Sequence, residues 1–380
     1  MVALVHVEPP RNGLGAAKMR GVTIGVIANP VSARDIRRVV TFAGNLQTGE
    51  RVNIILRMLG AAHATGVERI LMMPDRGGIR ALLERTLRRA TGSTHDPTFP
   101  TIDLLDMDPV STVDDTFTAT RLLIQAGVSA IAVLGGDGTH RAVVRELRRH
   151  GSRIPIAGLS TGTNNAFPEM REPTITGIAV GLHASGKLDP AESLAPSKVI
   201  EVAMTSPDGS TVRDVAIVDA VVSADRYVGA RAIWKADSIR QAFLAFADPE
   251  CIGISAIGGL LHPTARRAPN GLRVDVAVDP KTASIELHAP IAPGLVAPVP
   301  IEGWQLMEPD VPHRVAAEAG TIALDGEREF SFGPNHTVTC TVRTDAFLTI
   351  DVARCMALAA SSGVVRYPAR HASNPAPLPD

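Results

Sequence analysis

The sequence predicts an α/β protein in two parts: a doubly wound, Rossmann-like parallel sheet domain, followed by an antiparallel β-rich domain of the sandwich kind. Two patterns carry that expectation. Between Val22 and about Gly186, apolar runs alternate with helix-length segments, as parallel strands do when crossover helices join them. Beyond Lys187-Leu188-Asp189-Pro190 the apolar runs shorten and Gly and Pro interrupt them, which is the antiparallel pattern. The chain has 380 residues, 45% of them hydrophobic, enough to fill two cores.

Apolar runs at 22–28, 69–73, 102–106, 129–134 and 154–159 read as strands buried on both faces. Between them, Ala119, Leu122, Leu123 and Ala126 recur at helical spacing, and Ser111 with Asp114 three residues on is close to a capping box. A further helix should start near Thr139. In the second part, β-rich runs lie at 198–204, 212–222, 252–257, 272–278, 283–288, 321–324 and 336–350. One helix is expected among them, Asp237 to Ala247, with Ile239, Ala242, Phe243 and Phe246 as its packing stripe.

The chemistry concentrates after the fourth and fifth strands. Ser129 to Leu134 runs into Gly135-Gly136-Asp137-Gly138-Thr139. Glycines let the backbone approach a ligand closely, and the helix beginning there aims free N–H groups at an anion. A lone carboxylate, Asp137, beside bound phosphates calls for a cation, so the loop reads as a site for a Mg²⁺-bound nucleoside triphosphate. The bland alternative is a tight turn with an Asp cap. The next strand enters Gly158-Leu159-Ser160-Thr161-Gly162-Thr163-Asn164-Asn165-Ala166-Phe167-Pro168, a second polar loop that should lie beside the first at the carboxyl ends of the strands. His140 and Arg141 either neutralise phosphate or face solvent.

Three rival signatures are excluded by the residues around them. Gly136 and Gly138 are followed at the third position by Arg141, so the dinucleotide fingerprint Gly-x-Gly-x-x-Gly fails. No Gly-Lys-Ser/Thr completes a P-loop. Gly158-Leu159-Ser160-Thr161-Gly162 fits a nucleophile elbow, but Asn164, Asn165 and Pro168 continue it as an extended loop where an elbow runs into a helix.

These motifs together resemble the superfamily of NAD kinases, diacylglycerol kinases and sphingosine kinases. Asn29-Pro30 after the first strand is similar to the Asn-Pro that opens those domains, and Leu324-Asp325-Gly326-Glu327 to their late Asp-Gly motif. Ser255-Ala256-Ile257-Gly258-Gly259 resembles the Ser-Ala-Gly-Gly stretch of NAD kinases. With Val228 to Trp234, the whole looks most like the acetoin catabolism protein X group of NAD-kinase-like proteins. The resemblance implies an ATP-dependent phosphotransferase acting on a hydroxyl of a small molecule, NAD being the leading acceptor. Asp137 and Glu327 would be catalytic, with Asp137 on the metal. Asn29, Gly135, Gly136, Gly138, Thr139, Thr161, Gly162, Thr163, Asn164 and Asn165 would bind nucleotide, and Asp219, Ser255, Gly258 and Gly259 the acceptor. It further implies a homo-oligomer and a tail helix, near Val352 to Ala360, that returns to the first domain.

The acceptor half departs from the NAD kinase pattern. Val218-Asp219 stands where an Asn-acid pair is expected, and Asp248-Pro249-Glu250-Cys251-Ile252 replaces a Ser-Thr-Ala-Tyr segment. Two alternatives therefore stay open: a lipid or other small-alcohol kinase, and a non-catalytic nucleotide-binding regulator of a metabolic enzyme complex. The expected division is a flexible extension at 1–20, a nucleotide-binding α/β domain at 21–190, a β-rich acceptor domain at 191–350, a returning segment at 351–366 and a flexible tail at 367–380.

A net charge of −1 gives no general attraction to nucleic acid or anionic membrane, and 3% aromatic residues leave little for base stacking. Cys251, Cys340 and Cys355 have neither disulfide parity nor metal-ligand spacing. No signal-like apolar segment and no run of about 20 apolar residues occurs. The cytoplasm is the expected location.

Overall fold

The computed structural model describes residues 21–30, 46–90, 98–161, 165–224 and 238–366, without the side chains of Ala90 and Arg328. Val228 to Trp234 and both expected tails lie outside the described residues. Strands β1 (Thr23–Ala28), β2 (Arg69–Met72), β3 (Thr101–Leu104), β4 (Ile131–Gly135) and β5 (Ile156–Ser160) pair in parallel in the order β3-β2-β1-β4-β5. The order reverses between β1 and β4, so the carboxyl ends of these two adjacent strands form the crevice where open α/β sheets bind ligands.

The buried strands feed cores on both faces of this sheet. Ile24, Val26, Ile70, Met72, Ala132 and Leu134 face α1 (Thr48–Ala64), α2 (Ile79–Ala90) and α5 (Pro173–Ala184). Ile27, Leu71, Ile131 and Val133 face α3 (Val113–Ala126) and α4 (Asp137–Arg149). Glycine sets how closely α1 and α5 approach. A Cβ at Gly177 would lie 2.3 Å from the Met58 carbonyl oxygen, and one at Gly181 1.9 Å from Thr65 Oγ1. The cap of α3 is Thr112, whose Oγ1 accepts from Asp114 N at 3.2 Å. Ser111, the expected cap, takes a left-handed φ of 64° one residue earlier.

The sheet continues past residue 190. After the short α6 (Pro190–Ser193), β6 (Leu194–Thr205) and β7 (Thr211–Ala216) join it, as does β16 (Thr337–Ile350). β16 lies between β5, which it meets in parallel at Thr349↔Ile156, and β6, which it pairs antiparallel from Thr337↔Thr205 to Ile350↔Leu194. β13 (Pro312–Arg314) adds a ninth strand beside β16. α8 (Val352–Ser362) then packs on α5 and α6.

A separate antiparallel sheet takes the order β11-β12-β10-β9-β8-β14-β15. Its strands are β8 (Asp219–Ser223), β9 (Ile239–Leu244), β10 (Gly271–Val276), β11 (Ile285–Ala292), β12 (Leu295–Met307), β14 (Gly320–Leu324) and β15 (Glu327–Phe332). A parallel-sheet unit with helices on both faces plus this second sheet is the fold class expected.

Two elements differ from expectation. The helix expected at Asp237 to Ala247 is strand β9, central in the second sheet and buried on both faces, where a continuous apolar run serves equally well. The strand expected at 252–257 is helix α7 (Ile254–Leu261), entered through Gly253 at φ 86°.

Candidate functional site

Helix α4 begins at Asp137 directly after β4, with Gly136 as its N-cap in extended conformation and no side chain capping it. Thr139 N–H donates back to the Gly136 carbonyl at 3.1 Å, and the positive end of the helix dipole points out of this terminus. Gly135 is required by packing: a Cβ there would sit 2.6 Å from Thr139 Cβ. Thr139 Oγ1 in turn accepts from Asn29 Nδ2 at 3.2 Å, tying the end of β1 to the glycine loop across the switch point. A Cβ at Gly136 would approach Asn165 Oδ1 to 2.9 Å, and Asn165 Nδ2 donates to Ser160 Oγ at 3.0 Å. The structure therefore brings Asn29, Gly135, Gly136, Gly138, Thr139 and Asn165 into one place. Thr161 is buried at the end of β5. Gly162, Thr163 and Asn164 lie outside the described residues.

The Asp137 carboxylate accepts the backbone N–H of Ala166 and of Phe167, each at 2.9 Å. Arg266 donates to the Phe167 carbonyl at 2.9 Å and to that of Ala166, whose peptide also carries the Phe167 N–H. Asp137 and Arg266 thus clamp the second polar loop. Charge-assisted bonds of this kind are the stronger sort, and they fix the loop against the helix terminus. A pocket of about 130 Å³ adjoins the clamp, lined in part by Gly158, Phe167, Lys198, Arg266 and Asp351; none of residues 135–139 borders it. Lys198 there donates to the carbonyls of Ala265, Ala268 and Asn270, while burial draws its ammonium down to about 8.

The turn between β14 and β15 approaches from the second sheet. Asp325, at φ 50°, accepts from the N–H groups of Ile217 at 2.9 Å, Val218 at 2.8 Å and Asp219 at 3.1 Å, and its own N–H donates to the Asp219 carbonyl at 2.9 Å. Burial and the neighbouring Asp219 carboxylate push the Asp325 carboxyl well above the usual range, against the pull of Arg141 and the Ile217 N–H. Two residues on, Glu327 is exposed, and its Oε1 stands 3.3 Å from where a Gly138 Cβ would be. The two expected catalytic acids, Asp137 and Glu327, therefore flank one helix terminus.

His140 and Arg141 do not face solvent. His140 is fully buried; Nδ1–H donates to the Gly136 carbonyl at 2.9 Å, and the ring packs on Phe167 at 5.5 Å between centroids. Burial draws its pKa down to about 4, with the Gly136 and Val133 carbonyls opposing, so it is a neutral packing group. Arg141 donates to Asp214 Oδ2 at 3.3 Å and to Glu329. Burial works against its charge, and Glu329, Asp325 and Asp214 more than restore it. Sequence reasoning missed this bridge because its partners stand 73 and 188 positions away.

Of the expected acceptor residues, Asp219 is buried beside the Asp325 turn, next to the fully packed Val218. Ser255, Gly258 and Gly259 serve packing. Ser255 Oγ accepts from Asp248 N at 3.2 Å, and a Cβ at Gly259 would come within 2.3 Å of Pro249 N. Gly259 lets α7 press against the 248–249 backbone, and Gly258 lets it close on Leu244 and Leu272.

Among the described residues, no group of three or more His, Cys, Asp or Glu is arranged to hold a metal. Mg²⁺ needs less than that, since it is commonly held by one or two carboxylates together with substrate phosphates. Asp137 and Glu327 provide hard oxygen ligands beside a phosphate-type helix terminus, so the donor set fits a phosphate-chelated Mg²⁺. No described helix is long and apolar enough to cross a membrane.

Comparison with known proteins divides the chain at the same place as its chemistry. Residues 24–186 match the ATP-NAD kinase N-terminal domain, and residues 198–345 match the acetoin catabolism protein X C-terminal domain. Over 342 residues the chain is 53% identical to the acetoin catabolism protein X of Cupriavidus necator, spanning 90% of this chain and 93% of that protein. Among solved structures it is similar to yeast NADH kinase complexed with NADH, at a TM-score of 0.47 and 11% identity over 93% of this chain and 91% of that one. A putative diacylglycerol kinase from Bacillus anthracis gives a TM-score of 0.43 and 12% identity over 88% and 98%.

Proposed function

The chain belongs to the acetoin catabolism protein X family, and from that premise we propose that it is an ATP-dependent phosphotransferase acting on a hydroxyl of a small molecule. One observation carries the reading: the exposed Glu327 carboxylate stands over Gly138, at the N-terminus of α4, which no side chain caps. There the helix N–H groups would take nucleotide phosphate, while Glu327 orients or deprotonates the acceptor hydroxyl. Asp137 would hold the loop that carries Asn165 and, with Glu327, would hold Mg²⁺. When bound, that ion supplies charge neutralisation at the transferring group. The protein's own contribution is position, which is most of what phosphoryl transfer asks of an enzyme.

The acceptor side favours something other than NAD in its usual pose. Val218 is buried and apolar where a hydrogen-bonding side chain would hold the dinucleotide, and Asp219 is drawn into the Asp325 turn. A site lacking one polar partner discriminates by roughly 10⁴-fold. NAD is the first acceptor to assay, with slow NADP formation expected relative to the preferred alcohol.

A second reading, a nucleotide-binding regulator without turnover, is favoured by one fact: both Asp137 oxygens already accept backbone N–H groups. One experiment separates the two. ADP release from Mg²⁺-ATP is measured against a panel of hydroxylated metabolites, NAD included, with wild type and Glu327→Gln. A phosphotransferase shows acceptor-dependent release that falls by at least about 10² in Glu327→Gln, the scale of a lost general base, with ATP affinity kept. Nucleotide binding without acceptor-dependent release establishes the regulator.

A further inference from the structure

Arg141 poses a problem of cost. Its side chain is 6% exposed, it bridges a carboxylate of β7 that is 5% exposed and one of β15 that is 30% exposed, and its Nε has no hydrogen-bond partner. A buried ion pair like this adds little stability over well-packed apolar groups. Its geometry, however, matches the site closely. Gly138 and Arg141 are three apart and share one face of α4; on β15, whose pairing with β14 shifts register at Glu329, Glu327 and Glu329 both reach that face. The helix and strand therefore meet in two rungs, Glu327 over Gly138 and Glu329 on Arg141. Asp214, which Arg145 also contacts at 3.1 Å, anchors the guanidinium to the first sheet. Asp325 pins the other end of the turn to residues 217–219.

We propose that Arg141 is a positioning residue: by bridging Asp214 and Glu329 it sets where the Glu327 carboxylate stands relative to the N-terminus of α4. The guanidinium fork is the part that matters, because it reaches two carboxylates on two sheets at once, which a single ammonium does not. The role in turnover rests on the phosphotransferase reading above; the role in placing the turn does not.

The test uses the full-length protein with Arg141→Met, Arg141→Lys and Glu329→Gln. Amide hydrogen exchange of the 324–330 segment reports the turn directly, without chemistry. In Arg141→Met and in Glu329→Gln, exchange there should rise by about tenfold or more while the core of α4 stays protected. Affinity for a non-hydrolysable ATP analogue should hold within about twofold, while turnover falls by roughly 10²-fold, as for a misplaced catalytic group. Arg141→Lys should recover part of the turnover. Adding Glu329→Gln to Arg141→Met should cost little more, because both break one bridge. If Arg141→Met does not fold, Glu329→Gln decides, since it removes only the more exposed partner. Unchanged exchange at 324–330 in a folded variant overturns the proposal, as does a loss of ATP affinity equal to the loss of turnover. If wild type turns over no acceptor, the phosphotransferase reading fails and the exchange result still decides whether Arg141 places the turn.

Discussion

At the scale of single residues, Asp137 clamps a turn, since its oxygens take the N–H groups of Ala166 and Phe167 while its backbone opens α4. Under the proposed phosphotransferase reading the same carboxylate also stands beside the phosphates. Asp137→Asn should therefore do more than remove a charge. The amide oxygen accepts one N–H, and the Nδ2 group then confronts the other, leaving a donor unsatisfied at about 1–3 kcal/mol. Denaturant unfolding should show that loss together with a fall in turnover of at least about 10². Undiminished turnover in the folded variant would remove Asp137 from the site. The glycine loop itself was legible because three glycines crowd one short stretch, and Gly135 is needed locally, where Thr139 bars a Cβ. Arg141 was not legible, because nothing near it in the chain announces Asp214 or Glu329.

At the scale of elements, β9 and α7 show where pattern reading gives out. Residues 239–246 present Ile, Ala, Phe, Leu and Phe in a run that is apolar at both helical and strand spacing, and only pairing with β8 and β10 on either side decides for strand. α7 suffers the reverse ambiguity. Two glycines in eight residues are poor helix formers, yet they allow the helix to close on Leu244 and Leu272 at Gly258 and on the 248–249 backbone at Gly259. Gly259→Ala makes that concrete. Its Cβ would meet Pro249 N at 2.3 Å and the Asp248 carbonyl carbon at 2.4 Å, and neither can rotate aside. Intrinsic helix propensity favours the substitution by up to about 1 kcal/mol, and overpacking opposes it by about 1–3 kcal/mol. Net destabilisation is expected, read as a lower urea midpoint; a raised midpoint would mean that α7 has room to move.

At the scale of the whole molecule, stability should depend on pH through His140. Its folded pKa, about 4, lies below the 6.5 of the free side chain. The folded and unfolded states both hold it neutral above pH 6.5, so the native state keeps its full stability there. As the pH falls from 6.5 towards 4, only the unfolded chain gains the proton, and about 3 kcal/mol should be lost across the window. The raised carboxyl of Asp325 works in the opposite sense, because the folded chain holds that proton more tightly. Comparing unfolding free energies of wild type and His140→Gln at pH 7 and pH 4.5 isolates the histidine. The variant should lose less on acidification, whereas parallel losses would clear His140. The division into two fold types was legible from strand length and punctuation. The seam was not, since β6, β7 and β16 read as strands of the second part and pair with the first. That seam has a consequence in time. β5 ends at residue 160 and its neighbour β16 begins at residue 337, so 176 positions are synthesised between them. At about 5–20 residues per second, the emerging chain carries the bare edge of β5 for roughly 9–35 s before its neighbour exists. An unpaired edge is a template for the wrong partner. The growing chain therefore has a long interval in which chaperones matter most, and it closes only when the last strand slides in beside β5.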